Sequence, residues 1–494
     1  MSVPLRSVEF DTGEALRLHM HVAGAAMEAI DGRRLDSIDP FNGDAWSSIP
    51  RAAAADVDRA VAAARDAFAH GAWPLMTAAA RGLLLYRLAD LIEGDAERLA
   101  GLDMRDNGKL MAEMLAHARA AAEWFRYFGG ISDKIEGAVA AAGPGLWHHV
   151  RYEPMGVIAA ITPWNAPLLL AAFKLAPALA AGNTVVIKPS EHASASTLAL
   201  AGLAERAGLP AGVVNVITGD MEAGAALAAH PGVAKVAFTG GEAGGRAAYA
   251  AGARGLKPVS LELGGKSPGI VFADADLDRA AADVARGIFA GGGQTCMAIS
   301  RVLVEASIHD AFVERLIAHA VAMRLGDPAL PDTDMGPIAT HAQFGRVLDL
   351  IAVARAEGAR CVTGGARATG PGLGQGWFIQ PTIFTEAQST MRIAQEEVFG
   401  PVLCVLRFET EADAIAIAND SPYGLAAAIW TRDLARASEL PAKLDVGTVW
   451  INTCRITSPM APFGGMKQSG IGREGGQSNI YDYLLSKSIF VSTR

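Results

Sequence analysis

The chain has 494 residues, 51% of them hydrophobic and 19% charged, with 54 glycines and a formal charge of −9. That length exceeds one ordinary core, so two or three domains are expected, and the composition excludes a disordered chain. The acidic balance and the lack of a basic block exclude general nucleic-acid binding, and no run of about 18 apolar residues reads as a membrane span.

Near the start, Glu9, Asp11, Glu14 and Glu28 interrupt any apolar run, which argues against a signal peptide. Residues 52–70 and 77–128 place apolar positions at helical spacing and predict a helical N-terminal region. Residues 129–154 alternate weakly and fit a hairpin or an arm. From 155 onward, short apolar runs at 157–161, 184–187, 213–217 and 233–238 alternate with helical stretches. That rhythm predicts βαβ units and a parallel sheet with helices on both faces. It resumes with a strand at 269–272, a helix at 277–290, a strand at 302–304 and a helix at 309–324, reading as a second α/β domain. The β-prone run 488–493 has no evident partner.

The four cysteines, Cys296, Cys361, Cys404 and Cys454, are widely spaced, with no CxxC pair and no histidine pair nearby. Neither a disulfide framework nor a zinc or other metal site follows, and reduced cytoplasmic thiols fit best. Cys361 and Cys404 read as small buried hydrophobes. Cys296 differs, because it closes the stretch "GGGQTC". Three glycines allow close backbone approach, and Gln294 and Thr295 bring polar groups that packing does not need. A thiol reacts as its thiolate, so such a role requires a lowered pKa or a base.

Parallel sheets bind ligands at the carboxyl ends of their strands, which directs attention to those loops. "TPWNAP" offers Asn165 as an oxyanion donor or, equally, as a helix cap. In "IKPSE", Lys188 and Glu191 could bracket a ribose or could lie in a solvated loop. "FTGGEAGG" opens a helix with Gly240, Gly241, Gly244 and Gly245, a phosphate site in principle but neither a dinucleotide fingerprint nor a Walker loop. "LELGGKSP" sets Glu262 before two glycines as a candidate base. "EEVFGPV" puts Glu396 and Glu397 ahead of a buried strand.

Together with "PFGGMKQSGIGRE", these motifs in this order strongly resemble the aldehyde dehydrogenase superfamily, from about residue 35 to 490. The resemblance implies an NAD(P)-dependent, non-acylating oxidoreductase. Cys296 would attack the aldehyde, Asn165 and the Cys296 N–H would hold the oxyanion, and Glu262 would activate water on the thioester. Lys174 joins these as a catalytic residue. The cofactor, NAD with NADP as the lesser candidate, falls by the same likeness to Thr162, Pro163, Trp164, Lys188, Glu191, Gly240, Gly241, Gly245, Leu263, Glu397 and Phe399. Glu191 favours NAD, because a carboxylate accepts from a free 2′-hydroxyl and repels a 2′-phosphate. The implied substrate funnel comprises Leu169, Leu170, Phe173, Thr295, Met297, Arg455, Thr457 and Phe463. Most are apolar, suiting an aliphatic or aromatic aldehyde. Arg455 reads either as a surface or subunit-contact arginine or as a clamp for a substrate carboxylate, as in a semialdehyde dehydrogenase.

One departure stands out. Members commonly carry serine after "FTG", where this chain has Gly241 and then Glu242. A CoA-acylating relative would typically lack the glutamate base, and a cysteine hydrolase would need a histidine partner that no motif supplies. The resemblance further implies a cofactor domain (1–128 and 151–262), a catalytic domain (263–464), and an oligomerisation arm and tail (129–150 and 465–494). The assembly would be a homodimer or homotetramer.

Overall fold

The structure, a computed structural model, describes residues 15–373 and 375–494. The reading of Glu9, Asp11 and Glu14 lies outside the described residues. Among the described residues, two large sheets and three small ones make up the α/β fold.

The first sheet has eight strands, in the spatial order Gly470–Ile471, Val259–Glu262, Lys235–Thr239, Val157–Ile161, Thr184–Lys188, Val214–Val216, Met20–Val22, Ala25–Met27. The five from Val259–Glu262 to Val214–Val216 are parallel. Val157–Ile161, Thr184–Lys188 and Lys235–Thr239 are buried at every residue, as near-continuous apolar runs should be when both faces are covered. Chain order reverses at Val157–Ile161, whose neighbours are Thr184–Lys188 on one side and Lys235–Thr239 on the other. The loops after Ile161 and Thr239 therefore flank the crevice at this switch point.

The helices Ala78–Gly94, Ala96–Asn107 and Met111–Ile131 join Pro167–Ala180 in an apolar cluster built on Trp124, Phe125 and Phe128. The helical N-terminal prediction holds from Ala54 onward. The short strands between Leu16 and Pro50 were not legible, since they are two to six residues long and mostly lack clean alternation.

In the second sheet the order is Arg360–Thr363, Thr382–Thr385, Val402–Phe408, Ile299–Glu305, Ser267–Val271, Ala426–Trp430, Thr448–Ile451. All are parallel except the first pairing. The helix Leu277–Phe289 starts where Asp276 accepts from the Arg279 N–H, and it buries Ala280, Ala281, Val284, Ala285 and Ile288 on one stripe.

The orphan run at the C-terminus has a partner. Leu484–Ser492 pairs antiparallel with Leu146–Pro154 over nine residues, and Ala138–Ala140 adds a third strand. This arm carries Val139, Trp147, Leu485 and Phe490 exposed to solvent. The tail segment is not all arm, because Gly470–Ile471 pairs with Val259–Glu262 at the edge of the first sheet.

Candidate active site

A cavity of about 180 Å³ is lined by Pro163, Trp164, Asn165, Leu170, Thr239, Gly240, Gly241, Glu262, Leu263, Gly264, Cys296, Gln343, Arg346, Glu397 and Phe399. Its walls come from carboxyl-end loops of the first sheet and from loops that enter the second sheet at its amino ends. Residues 262–265 precede Ser267–Val271, Cys296 precedes Ile299–Glu305, and Glu397 precedes Val402–Phe408. The carboxyl-end rule locates only the first half of this site.

Cys296 is half-buried on the cavity. Gly291, Gly292 and Gly293 before it all have φ between 62 and 71°, a left-handed run only glycine adopts readily. A Cβ on Gly293 would fall 2.0 Å from the Gly400 carbonyl oxygen. The Gln294 side chain, expected to serve the site, is committed to the backbone: Oε1 accepts from Ala339 N–H and Nε2 donates to the Gly291 carbonyl. It fastens the loop. The Gln294 carbonyl in turn accepts from Asn165 Nδ2 at 3.1 Å and from Lys109 Nζ at 3.2 Å. Asn165 is thus no helix cap; the cap of Pro167–Ala180 is Ala166, with no side-chain bond.

Burial pushes the Cys296 thiol up to about 12, with Glu397 and Glu262 adding to the rise and Lys109 opposing it. Glu262 is 5% exposed, and neither of its carboxylate oxygens has a hydrogen-bond partner. Burial first, and Glu474 second, raise its pKa well above the ordinary carboxylate range. Glu474 accepts from Lys174 Nζ at 2.5 Å, and the same ammonium reaches Thr239 Oγ1 at 2.6 Å. Lys174 is therefore a buried partner next to Glu262 and does not line the cavity.

Glu397 accepts from Gly265 N–H at 3.0 Å, and burial raises its pKa to about 7. Gln343 Nε2 donates to the carbonyls of Val398 and Phe399, holding Phe399 at φ 53° with its ring edge-on to Trp164. Lys188 and Glu191 lie beyond the lining, 3.5 Å apart.

Other expected residues take different places. Gly245 lies inside the helix Glu242–Arg254, where a Cβ would meet Leu263 Cδ2 at 2.5 Å; it is a close-packing glycine and does not line the cavity. Gly241 caps that helix with open space where a Cβ would sit, so a serine would fit there. Thr162 is buried, with an unpartnered hydroxyl. Thr295 lines a small void behind the nucleophile loop rather than the funnel. Phe173 stacks on Trp124 at 3.7 Å and is 3% exposed, backing the wall rather than lining it. Leu169 and Met297 are partly buried against the two cores, Thr457 is half-buried, and Phe463 is buried and bridged to Glu474. Sequence reasoning missed Lys109, Gln343 and Glu474. Glu474 ends the quoted stretch "PFGGMKQSGIGRE", whereas Lys109 and Gln343 lie in no quoted motif, and only folding brings these residues to the site.

The sequence model of the aldehyde dehydrogenase family matches residues 27–489. The chain belongs to the aldehyde dehydrogenase family. It is 45% identical over 461 residues to (Z)-2-((N-methylformamido)methylene)-5-hydroxybutyrolactone dehydrogenase of Acinetobacter baylyi, covering 93% of this chain and 94% of that one. Betaine aldehyde dehydrogenase of Staphylococcus aureus, solved with NAD+, superposes with a TM-score of 0.97 at 39% identity, over 100% of this chain and 98% of that one. An NAD-dependent aldehyde dehydrogenase from Sinorhizobium meliloti gives a TM-score of 0.94 at 39% identity, over 97% and 95% of the two chains. In an aldehyde dehydrogenase the cavity has a direct use. It sets a thiol, an amide donor and a carboxyl around one space.

Proposed function

We propose that this NAD-dependent aldehyde dehydrogenase oxidises its aldehyde to the acid through a covalent adduct on Cys296. The observation that carries this reading is the convergence of Cys296, Asn165 and the unpartnered Glu262 on one cavity. Glu262 takes the thiol proton as Cys296 Sγ attacks the carbonyl carbon, and gives it up to solvent before the hydrolytic step. The developing oxyanion is held by the Asn165 amide, whose second N–H is free for it, and by the Cys296 backbone N–H. Glu262 takes the proton from water as that water attacks the thioester. A carboxyl with a raised pKa suits proton transfer near neutral pH. Lys174 and Glu474, bonded to each other, set the charge next to Glu262.

The cofactor cradle has a physical test in the residues. Gly264 lies under the Glu397 carboxylate, where a Cβ would fall 2.1 Å from Oε2, and Gly241 faces open space at a helix N-terminus. The open space at Gly241 fits a dinucleotide, while Gly264 makes room for the Glu397 carboxylate. Pro163, Trp164, Gly240, Leu263, Glu397 and Phe399 would hold its nicotinamide half, with Lys188 and Glu191 at the adenosine ribose. NAD, when bound, supplies the hydride acceptor that turns a thiohemiacetal into a thioester. The Trp164–Phe399 pair walls that space from water.

The two large sheets support the domain division given above, which we propose with residues 151–154 moved to the arm, Met466–Lys467 to the catalytic domain and Gly470–Ile471 to the cofactor domain. The exposed apolar strands of the arm support a homodimer or homotetramer. Four free thiols support a reducing, cytoplasmic location, and no described helix is long and apolar enough to cross a membrane.

The deciding experiment is Cys296→Ala. Dehydrogenase turnover should vanish while NAD affinity, measured by calorimetry, stays within about threefold of wild type, a difference of under ~1 kcal/mol. Substantial residual turnover would overturn the assignment.

A further inference from the structure

Three consecutive carbonyls, those of Glu397, Val398 and Phe399, accept from side chains of one helix, His341–Ala356. Gln343 Nε2 donates to Val398 at 2.8 Å and to Phe399 at 2.9 Å. Arg346 Nη2, one turn on and on the same helix face, donates to Glu397 at 3.2 Å. Thr340 Oγ1 caps the helix by accepting from the Gln343 N–H at 3.1 Å, which fixes the backbone from which the amide reaches. Gln343, Arg346, Trp164 and Phe399 all line the cavity that holds Cys296.

The held segment is strained. Phe399 stands at φ 53°, a left-handed conformation that is an outlier for a bulky residue and persists only where surroundings enforce it. The Val398 and Phe399 carbonyls belong to the two rigid peptide planes on either side of the Phe399 Cα, so a single amide group fixes both of its dihedral angles. The other side of the segment is fixed too. Glu397 Oε1 accepts from the Gly265 N–H at 3.0 Å, and the Gly400 carbonyl lies against Gly293 of the nucleophile loop. The Phe399 ring then meets Trp164 edge-on, with centroids 5.3 Å apart, and Asn107 Nδ2 donates to the Trp164 carbonyl at 3.2 Å. Both rings are set from behind by amide side chains.

We infer that Gln343, assisted by Arg346, is a positioning residue that acts through the enforced Phe399 backbone to keep the Trp164–Phe399 wall closed on the cofactor, and so sets how fast the reduced cofactor leaves. This rests on the NAD reading of the cavity given above. Without the two amide bonds, Phe399 relaxes toward negative φ, its ring leaves Trp164, and the cofactor end of the cavity opens.

The test is the rate at which NADH leaves the full-length enzyme, followed by fluorescence in stopped flow after mixing the complex with excess NAD. Gln343→Met should raise that rate roughly tenfold or more, the worth of two hydrogen bonds expressed in the off-rate. Gln343→Glu, of the same shape without the donors, should do likewise, and Arg346→Met, which removes one bond of the three, should raise it less. Glycine takes positive φ unaided, so in a Phe399→Gly background Gln343→Met should add no more than about twofold. In the cofactor-free protein, amide exchange across residues 397–400 should quicken in Gln343→Met, a readout that needs no turnover. An equal effect of Gln343→Met in both backgrounds overturns the inference, because a direct cofactor contact or a general structural loss gives that result. An unchanged NADH release rate in Gln343→Met or Gln343→Glu overturns it as well, as does a larger effect of Arg346→Met. Failure of wild type to bind NADH at all would overturn the cofactor reading itself, an outcome separate from these.

Discussion

Lys109 donates to the Gln294 carbonyl at 3.2 Å across 185 residues of sequence, two positions before the nucleophile. The lysine is 4% exposed, and burial lowers its pKa to about 8. It pins the loop and places a positive charge near Cys296. A cation beside a thiol lowers the thiol pKa, so its removal should raise it. Lys109→Met should therefore slow alkylation of Cys296 by iodoacetamide at pH 8 roughly tenfold, the effect of about one pKa unit. An unchanged alkylation rate would leave Lys109 as a loop fastener alone.

Glu262 has no competing hydrogen bond, so its replacement should affect one step. Glu262→Gln should still form the acyl-enzyme and then hydrolyse it slowly. Stopped-flow should record a burst of NADH close to one per active site, followed by turnover lowered by roughly 10²–10⁴, the usual worth of a general base. Unchanged steady-state turnover would place the water-activating base elsewhere.

Cofactor preference turns on Glu191. Burial pushes its carboxyl up, but Lys188 and the backbone pull it below the ordinary range, so it is charged at neutral pH. A 2′-phosphate would meet that charge. At equal concentrations, kcat/KM should favour NAD over NADP by about tenfold or more, the equivalent of ~1.4 kcal/mol. Glu191→Gln should narrow the gap, and equal wild-type efficiency with both cofactors would defeat the argument.

Asp103 is 1% exposed, with Oδ1 unpartnered, and burial raises its pKa to about 7. An acid whose folded pKa is raised contributes stability that is full below its unfolded pKa of about 3.9 and is lost as pH rises through the folded value. Wild type should lose stability between pH 5 and 8. Asp103→Asn should flatten that loss by on the order of 2 kcal/mol, seen as a smaller drop in Tm. Asp106, also raised to about 7, will leave a residual slope. Parallel pH profiles for the two proteins would refute this.

What the sequence determined by itself was local. Apolar runs such as 157–161 and 184–187 announced buried parallel strands, because burial on both faces demands continuous hydrophobicity and leaves a direct trace in composition. The family motifs carried Cys296, Asn165 and Glu262 because glycines and prolines fix the backbone around them over a few residues. Tertiary structure alone decided which distant groups meet. Lys109 reaches Gln294 and Lys174 reaches Glu474 across 185 and 300 residues, and no periodicity encodes such a contact. It also decided the fate of Gln294, whose side chain holds the loop, and of Gly245, which packs on Leu263. The shifted pKa values of Cys296, Glu262 and Glu397 arise from desolvation, and desolvation exists only once the chain has closed around them.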